Sequence, residues 1–185
     1  MTMSERELEL TRRPDDLTIS RLARLTLLLA AAPGQPNAKP LDVERIATYD
    51  FFADNPLLVF APGTPEHIEV LLAGFDAQTL SYHSASQRFS NRRGRLQHDL
   101  AQLLARGLIR THIDGKRVVY ELTSAGEELA GTFSSVYAQA YLLSARLITK
   151  ALNRLGPRQL RDSTARMLDA QSFLVDLELR GVAET

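Results

Sequence analysis

Residues Leu96–Ala130 read LQHDLAQLLARGLIRTHIDGKRVVYELTSAGEELA, and the order of their local signals decides the fold. Leu96, Leu100, Leu103 and Leu104 recur at the spacing of one helical face. Gly107 follows them, where a left-handed residue ends a helix at little cost to glycine. LIRTHI and VVYEL are β-rich runs, and the DGKR between them carries the Asp-Gly pair that favours a tight hairpin. Thr123 is then placed to cap a new helix, with Glu127 and Glu128 near its positive end. Helix, glycine stop, two-stranded ribbon and helix is the order of a winged helix-turn-helix. The helix before the hairpin would be the recognition helix and the hairpin the wing. The predicted fold class is therefore mainly α with a small antiparallel β-wing, carrying N- and C-terminal helical extensions.

On the N-terminal side, Leu17, Leu22, Leu25, Leu28 and Leu29 mark a helix face, with Asp15 or Asp16 as its cap. APGQPNAKP breaks the pattern as a loop. LDVERIATYDFFADNP predicts a second helix, with Leu41, Ile46 and Phe51 or Phe52 inward and Pro56 ending it. A short third helix opens with Thr64 as cap and Pro65 at its first position. The recognition helix is expected to begin at Asn91 or Arg95. On the C-terminal side, Val136, Ala140, Leu143, Leu147 and Ala151 fall in register, flanked by Tyr137 and Tyr141. Gly156-Pro157 stops that helix, and one or two more follow. The chain divides into a flexible 1–16, a winged-helix domain 17–130 with its N-terminal helix, and a helical extension 131–185 packed on the core.

Composition supports a folded domain: 44% of the 185 residues are apolar and 24% charged. Without cysteine, neither a disulfide framework nor a thiolate metal site is possible. MTMSERELEL is not a signal peptide, and the apolar run Leu25–Ala32 is too short to span a bilayer. The expected location is the cytoplasm, with no membrane partner. Basic and acidic residues balance at 22 each, but they are segregated. Arg88, Arg92, Arg93, Arg95, Arg106, Arg110, Lys116 and Arg117 face only Asp99 and Asp114 in the middle of the chain. Before them, Asp42, Glu44, Asp50, Asp54, Glu66, Glu69 and Asp76 face only Arg45. Either the two patches neutralise each other within the fold, or one of them steers a charged partner.

Arg88, Arg92, Arg93, Arg95 and His98 at the head of the recognition helix, with Lys116 and Arg117 on the wing, are the candidate contacts to DNA or to an acidic partner. Cations at a helix start oppose the macrodipole, which points to something anionic lying against them. Val136, Tyr137, Ala140, Tyr141 and Leu147 form a stripe that either packs on the core or serves as a partner or dimer helix. His67, His83, His98 and His112 lack metal-ligand spacing, and no serine lies in a nucleophile elbow. No catalytic residue, metal site or cofactor is expected.

The chain resembles the middle component of bacterial ABC-three-component systems. The likeness runs from about Leu27 to Leu168 and rests on Leu41-Asp42, Arg45-Ile46, Asp50, Arg92-Arg93, Gly107-Leu108-Ile109 and the YELTSAG of Tyr120–Gly126. It differs from the family pattern in segment 55–90. The resemblance implies a subunit without chemistry of its own. Such a subunit bridges an SMC/RecF-like ATPase and an effector or kleisin-like subunit in anti-phage or anti-plasmid defence, with double-stranded DNA close by. The competing expectation is a transcriptional regulator that binds operator DNA as a homodimer through its C-terminal helices.

Overall fold

The computed structural model describes residues 17–32, 38–76 and 84–182, with side chains to Asp169. Asp15, Asp16 and the whole of segment 1–16 lie outside the described residues. Helix α1 spans Thr18–Ala31 and α2 spans Val43–Asp54. A 3₁₀ turn at Pro56–Leu58 leads to α3, Pro65–Leu72. The long α4, Ala85–Ala105, precedes strands β1, Ile109–Asp114, and β2, Arg117–Leu122. Helices α5 (Ser124–Thr132), α6 (Val136–Leu152) and α7 (Pro157–Val182) complete the chain. This is the expected mainly helical fold with one two-stranded antiparallel sheet.

Both α1 and α2 are central. Every residue from Arg45 to Ala53 is buried, as are Leu22, Leu25 and Leu27–Leu29. Helix α1 packs against α2, α4, α5, α6 and β2. An apolar face on each neighbour closes over it, so one hydrophobic cluster extends from Leu22 to Leu168. The helices after residue 131 contribute Tyr141, Ala145, Ile148, Leu152 and Leu160 to that same cluster.

Two expectations about local structure are corrected. The recognition helix starts at Ala85, well before Asn91, because the Ser84 hydroxyl accepts the Gln87 N–H as an N-cap. Arg92, Arg93 and Arg95 therefore sit in the helix interior, where the supposed conflict with the macrodipole disappears, and Arg88 alone of the four stays in the first turn. On α6 the buried stripe is Ala138, Tyr141, Ala145, Ile148 and Leu152, one face away from the predicted Val136, Leu143 and Ala151. Both stripes have helical spacing, but only the observed one brings the Tyr141 hydroxyl to a buried carboxylate.

The hairpin root explains the GLI…Y.LT..G spacing. Gly107 turns at φ 67, and Leu108 N donates to Leu103 O. Strands β1 and β2 then pair from Ile109–Leu122 to Asp114–Arg117, with Gly115 at φ 63 in the loop. Thr123 closes the base: its N–H donates to Leu108 O at 3.1 Å, and its hydroxyl donates to Gly107 O at 2.7 Å. The same hydroxyl oxygen accepts from Gly126 N as the α5 cap. On the outer edge of the ribbon, Tyr120 N donates to Leu41 O, tying β2 to the entry of α2.

Gly126 sits where α5 crosses this root. A Cβ there would overlap the Leu108 carbonyl oxygen and lie 2.9 Å from Leu122 Cδ2. Gly94, in the exposed middle of α4, has open space around it. Gly126→Ala is expected to destabilise the protein by about 2–4 kcal/mol through overpacking. Gly94→Ala should stabilise it by about 0.5–1 kcal/mol through helix propensity. Urea denaturation reads both, and shifts of the same sign would contradict this account of the root.

Candidate interaction surface

The acidic run of α2 and the basic run of α4 meet. Arg92 Nη2 donates to Asp54 Oδ2 at 2.6 Å, and its Nη1 donates to the backbone oxygen of Asp50 at 3.1 Å. Arg24 approaches from α1, its guanidinium 3.8 Å from both Asp50 and Asp54. From α6, the Tyr141 hydroxyl donates to Asp50 Oδ1 at 2.8 Å and the Tyr137 hydroxyl to Asp54 Oδ1 at 3.0 Å. Four helices thus converge on two carboxylates and two guanidinium groups. The spacing Asp50/Asp54 places both acids on one face of α2, one helical turn apart.

Burial shapes the titration of this cluster. It pulls the Asp54 carboxyl upward, but the charges of Arg92 and Arg24 outweigh it and hold the group below the ordinary carboxylate range. Burial and the neighbouring Asp50 push the Tyr141 phenol up. The Arg92 guanidinium is raised: Asp50 and Asp54 overcome the opposing effect of burial. These shifts hold Asp54 ionised, Arg92 cationic and Tyr141 protonated near neutral pH, which suits an ion cluster.

Other charges lock the same helices. Arg21 of α1 makes a buried bidentate pair with Asp99 of α4, at 2.8 and 2.9 Å. Arg45 donates to the Tyr49 hydroxyl at 2.6 Å and to Leu155 O at 2.9 Å, joining α2 to the turn before α7.

The candidate contact residues separate into two groups. Arg92 points inward, and the half-buried Arg88 donates to Asn55 Oδ1 at 2.8 Å with its guanidinium over the Phe51 ring. Arg93 is exposed and pairs with Glu44. Arg95 and His98 lie on the solvent side of α4, His98 against Gln102 at 2.8 Å. On the wing, Lys116 is exposed and Arg117 pairs with Asp42 at 3.4 Å. Arg93, Arg95, His98, Lys116 and Arg117 are therefore the members that face water without belonging to the buried cluster, Arg93 and Arg117 of them ion-paired within the chain.

On α6, Tyr141 is fully buried, Ala140 and Leu147 are half-buried, and Tyr137 is tethered to Asp54. Only Val136, at 84% exposure, projects freely from that stripe. An open cleft of about 430 Å³ lies between the wing and the starts of α2 and α7, lined by Asp42, Glu44, Arg117, Val118, Tyr120 and Arg161 among others. Arg24, Arg21 and Asp99 were missed as partners from sequence. Their signal was weak: each is a charged residue interrupting a leucine stripe.

A family model, ABC-three component (ABC-3C) system Middle Component 2, matches residues 67–172, more than half of the chain. The chain belongs to this family. No curated protein and no solved structure matches it. Membership confirms the resemblance read from sequence, although the matched interval begins at His67. Leu41-Asp42, Arg45-Ile46 and Asp50, which helped carry the likeness, lie before it. A Middle Component 2 chain is one component of a multi-component system, and so has protein partners. Among its described residues no helix is long and apolar enough to cross a membrane, and no acidic or histidine cluster is arranged to hold a metal ion.

The burial of Arg92 has a measurable consequence. Arg92→Ala leaves the carboxylates of Asp50 and Asp54 undercompensated and should cost about 3–5 kcal/mol in urea denaturation. Arg95→Ala, on the solvent face, should stay within about 0.5 kcal/mol of the parent. Acid should act on the same cluster. Asp54 titrates lower folded than unfolded, so its contribution is fully present above about pH 4 and is lost as pH falls through the depressed folded value. Asp54→Asn should flatten the pH dependence of the urea midpoint below about pH 4.

Proposed function

We propose that this Middle Component 2 chain is a non-enzymatic accessory subunit that bridges an SMC/RecF-like ATPase and a partner or effector. The system is a DNA-associated one acting against phage or plasmids. The observation that carries the reading is the use of charge. The polar groups that look most like chemistry in the sequence, Asp50, Asp54, Arg92 and Arg24, are consumed in holding four helices together. What remains outside is a small rigid scaffold with separate exposed faces: the outer side of α4, the wing, the cleft beside it and the outer side of α3. Family membership supplies the partners such a scaffold would join.

Contact with double-stranded DNA is a second part of the proposal. The solvent-facing residues of α4 include Asn91, Arg95, Gln97 and His98, and its one acidic residue, Asp99, is buried against Arg21. The α4 side chains named here are hydrogen-bonding and cationic, with the carboxylates of Asp42 and Glu44 reaching the cleft beside Gln97, and Lys116 is exposed in the turn of the wing.

Co-expression of the chain with the other two components of its system tests the bridge. The expected result is one complex containing all three, with the ATPase and the third component failing to co-purify when this chain is omitted. Retention of that pair without it would remove the bridging role. For DNA, Arg95→Glu with Lys116→Glu should leave the thermal midpoint unchanged. It should also flatten the plot of log K against log salt for the assembled complex by about 1 per lost phosphate contact.

A further inference from the structure

Helix α3 keeps only Val70 fully buried, while Ile68, Leu71 and Leu72 stand 50%, 45% and 84% exposed. These three occupy positions i, i+3 and i+4, so they form a single apolar face. The helix is firmly placed. The Thr64 hydroxyl accepts from His67 N, His67 Nδ1 lies 3.2 Å from Phe60 O, and α3 packs on α6 and the 3₁₀ turn. The exposed aliphatic side chains are therefore presented on a fixed support and are not a frayed end.

The segment that carries the face bears charge of one sign. From Pro56 to Asp76 the sequence contains Glu66, Glu69 and Asp76 and neither lysine nor arginine. Glu69 is exposed and Glu66 half-buried, both on α3 itself. A second copy laid face to face would bring like charges together, which disfavours a symmetric contact. Three side chains are also far less than the roughly 1,600 Å² of a standard protein–protein interface. Both facts favour a short segment of opposite charge. An amphipathic helix that offers aliphatic residues at i, i+3 or i+4 and flanks them with lysine or arginine fits this surface.

We infer that the outer face of α3 is the docking site for a short cationic amphipathic helix belonging to another component of the same system. This rests on the bridging role above and gives one end of the bridge a location, on α3 and apart from the solvent face of α4 and the wing.

Leu72→Glu and Glu69→Lys, each in the full chain, test it. Both residues are exposed, so thermal midpoints should match the parent. Each variant is co-expressed with the other two components. Twenty-residue peptides tiled across those components are titrated against the full chain by fluorescence anisotropy. The inference expects a peptide of net positive charge and helical aliphatic spacing to bind. Leu72→Glu should weaken it about tenfold or more, as at an apolar anchor. Glu69→Lys should weaken it less, and added salt should weaken parental binding.

Assembly of the three components with the parent but not with Leu72→Glu supports the site. Assembly with both variants overturns it and leaves the bridging role standing. Failure of the parent itself to assemble defeats the bridging role and the docking site together. A large fall in the thermal midpoint of Leu72→Glu would show that the chain covers this face itself, and a change confined to self-association would assign it to a second copy. Either result overturns the inference.

Discussion

The fold is organised around the attraction between the two carboxylates of α2 and guanidinium groups brought to them by α1 and α4. Taking such charges out of water is costly, and their pairing offsets the cost only when the geometry is complete. Here it is completed by the two phenol hydroxyls of α6, which donate to the carboxylate oxygens. Hydrophobic contact alone would let these leucine-rich helices slide or rotate with little penalty. A buried ion cluster does not, because a misplaced helix leaves a charge without a partner. The angular setting of α6, for which the apolar pattern offers two equivalent solutions, is fixed by Tyr141 reaching Asp50.

The cluster also joins the part of the chain that matches the family model to the part that precedes it. Arg92, Tyr137 and Tyr141 lie inside the matched interval, while Arg24, Asp50 and Asp54 lie before it. The pair Arg21–Asp99 crosses the same boundary. The helices α1 and α2 are thus the centre on which α4 and α6 are mounted, and they are not an accessory to a self-contained helix-and-hairpin unit.

Much of this was legible in the residues. Gly107, the Asp114-Gly115 turn and Thr123 gave the hairpin and its flanking helices, because each signal is local and has one physical meaning. Thr64-Pro65 placed α3 for the same reason. The start of α4 was misplaced because Ser84 caps it from a stretch with no apolar period, and capping is visible only once the helix axis is known. The arginine run was ambiguous in a deeper way. A carboxylate 38 residues away in the sequence and a phosphate outside the molecule satisfy the same guanidinium. The segregation of charge allowed both readings, and only three-dimensional placement separates Arg92, bound inward, from Arg95, turned to solvent.

The pinned base of the ribbon gives the wing a mechanical character. Its two strands are gripped by Thr123 and Leu108 at one end and held along one edge by Leu41. The hairpin therefore has no soft joint where it leaves the body of the protein. Through these bonds the hairpin is coupled to the last turn of α4 and the entry of α2.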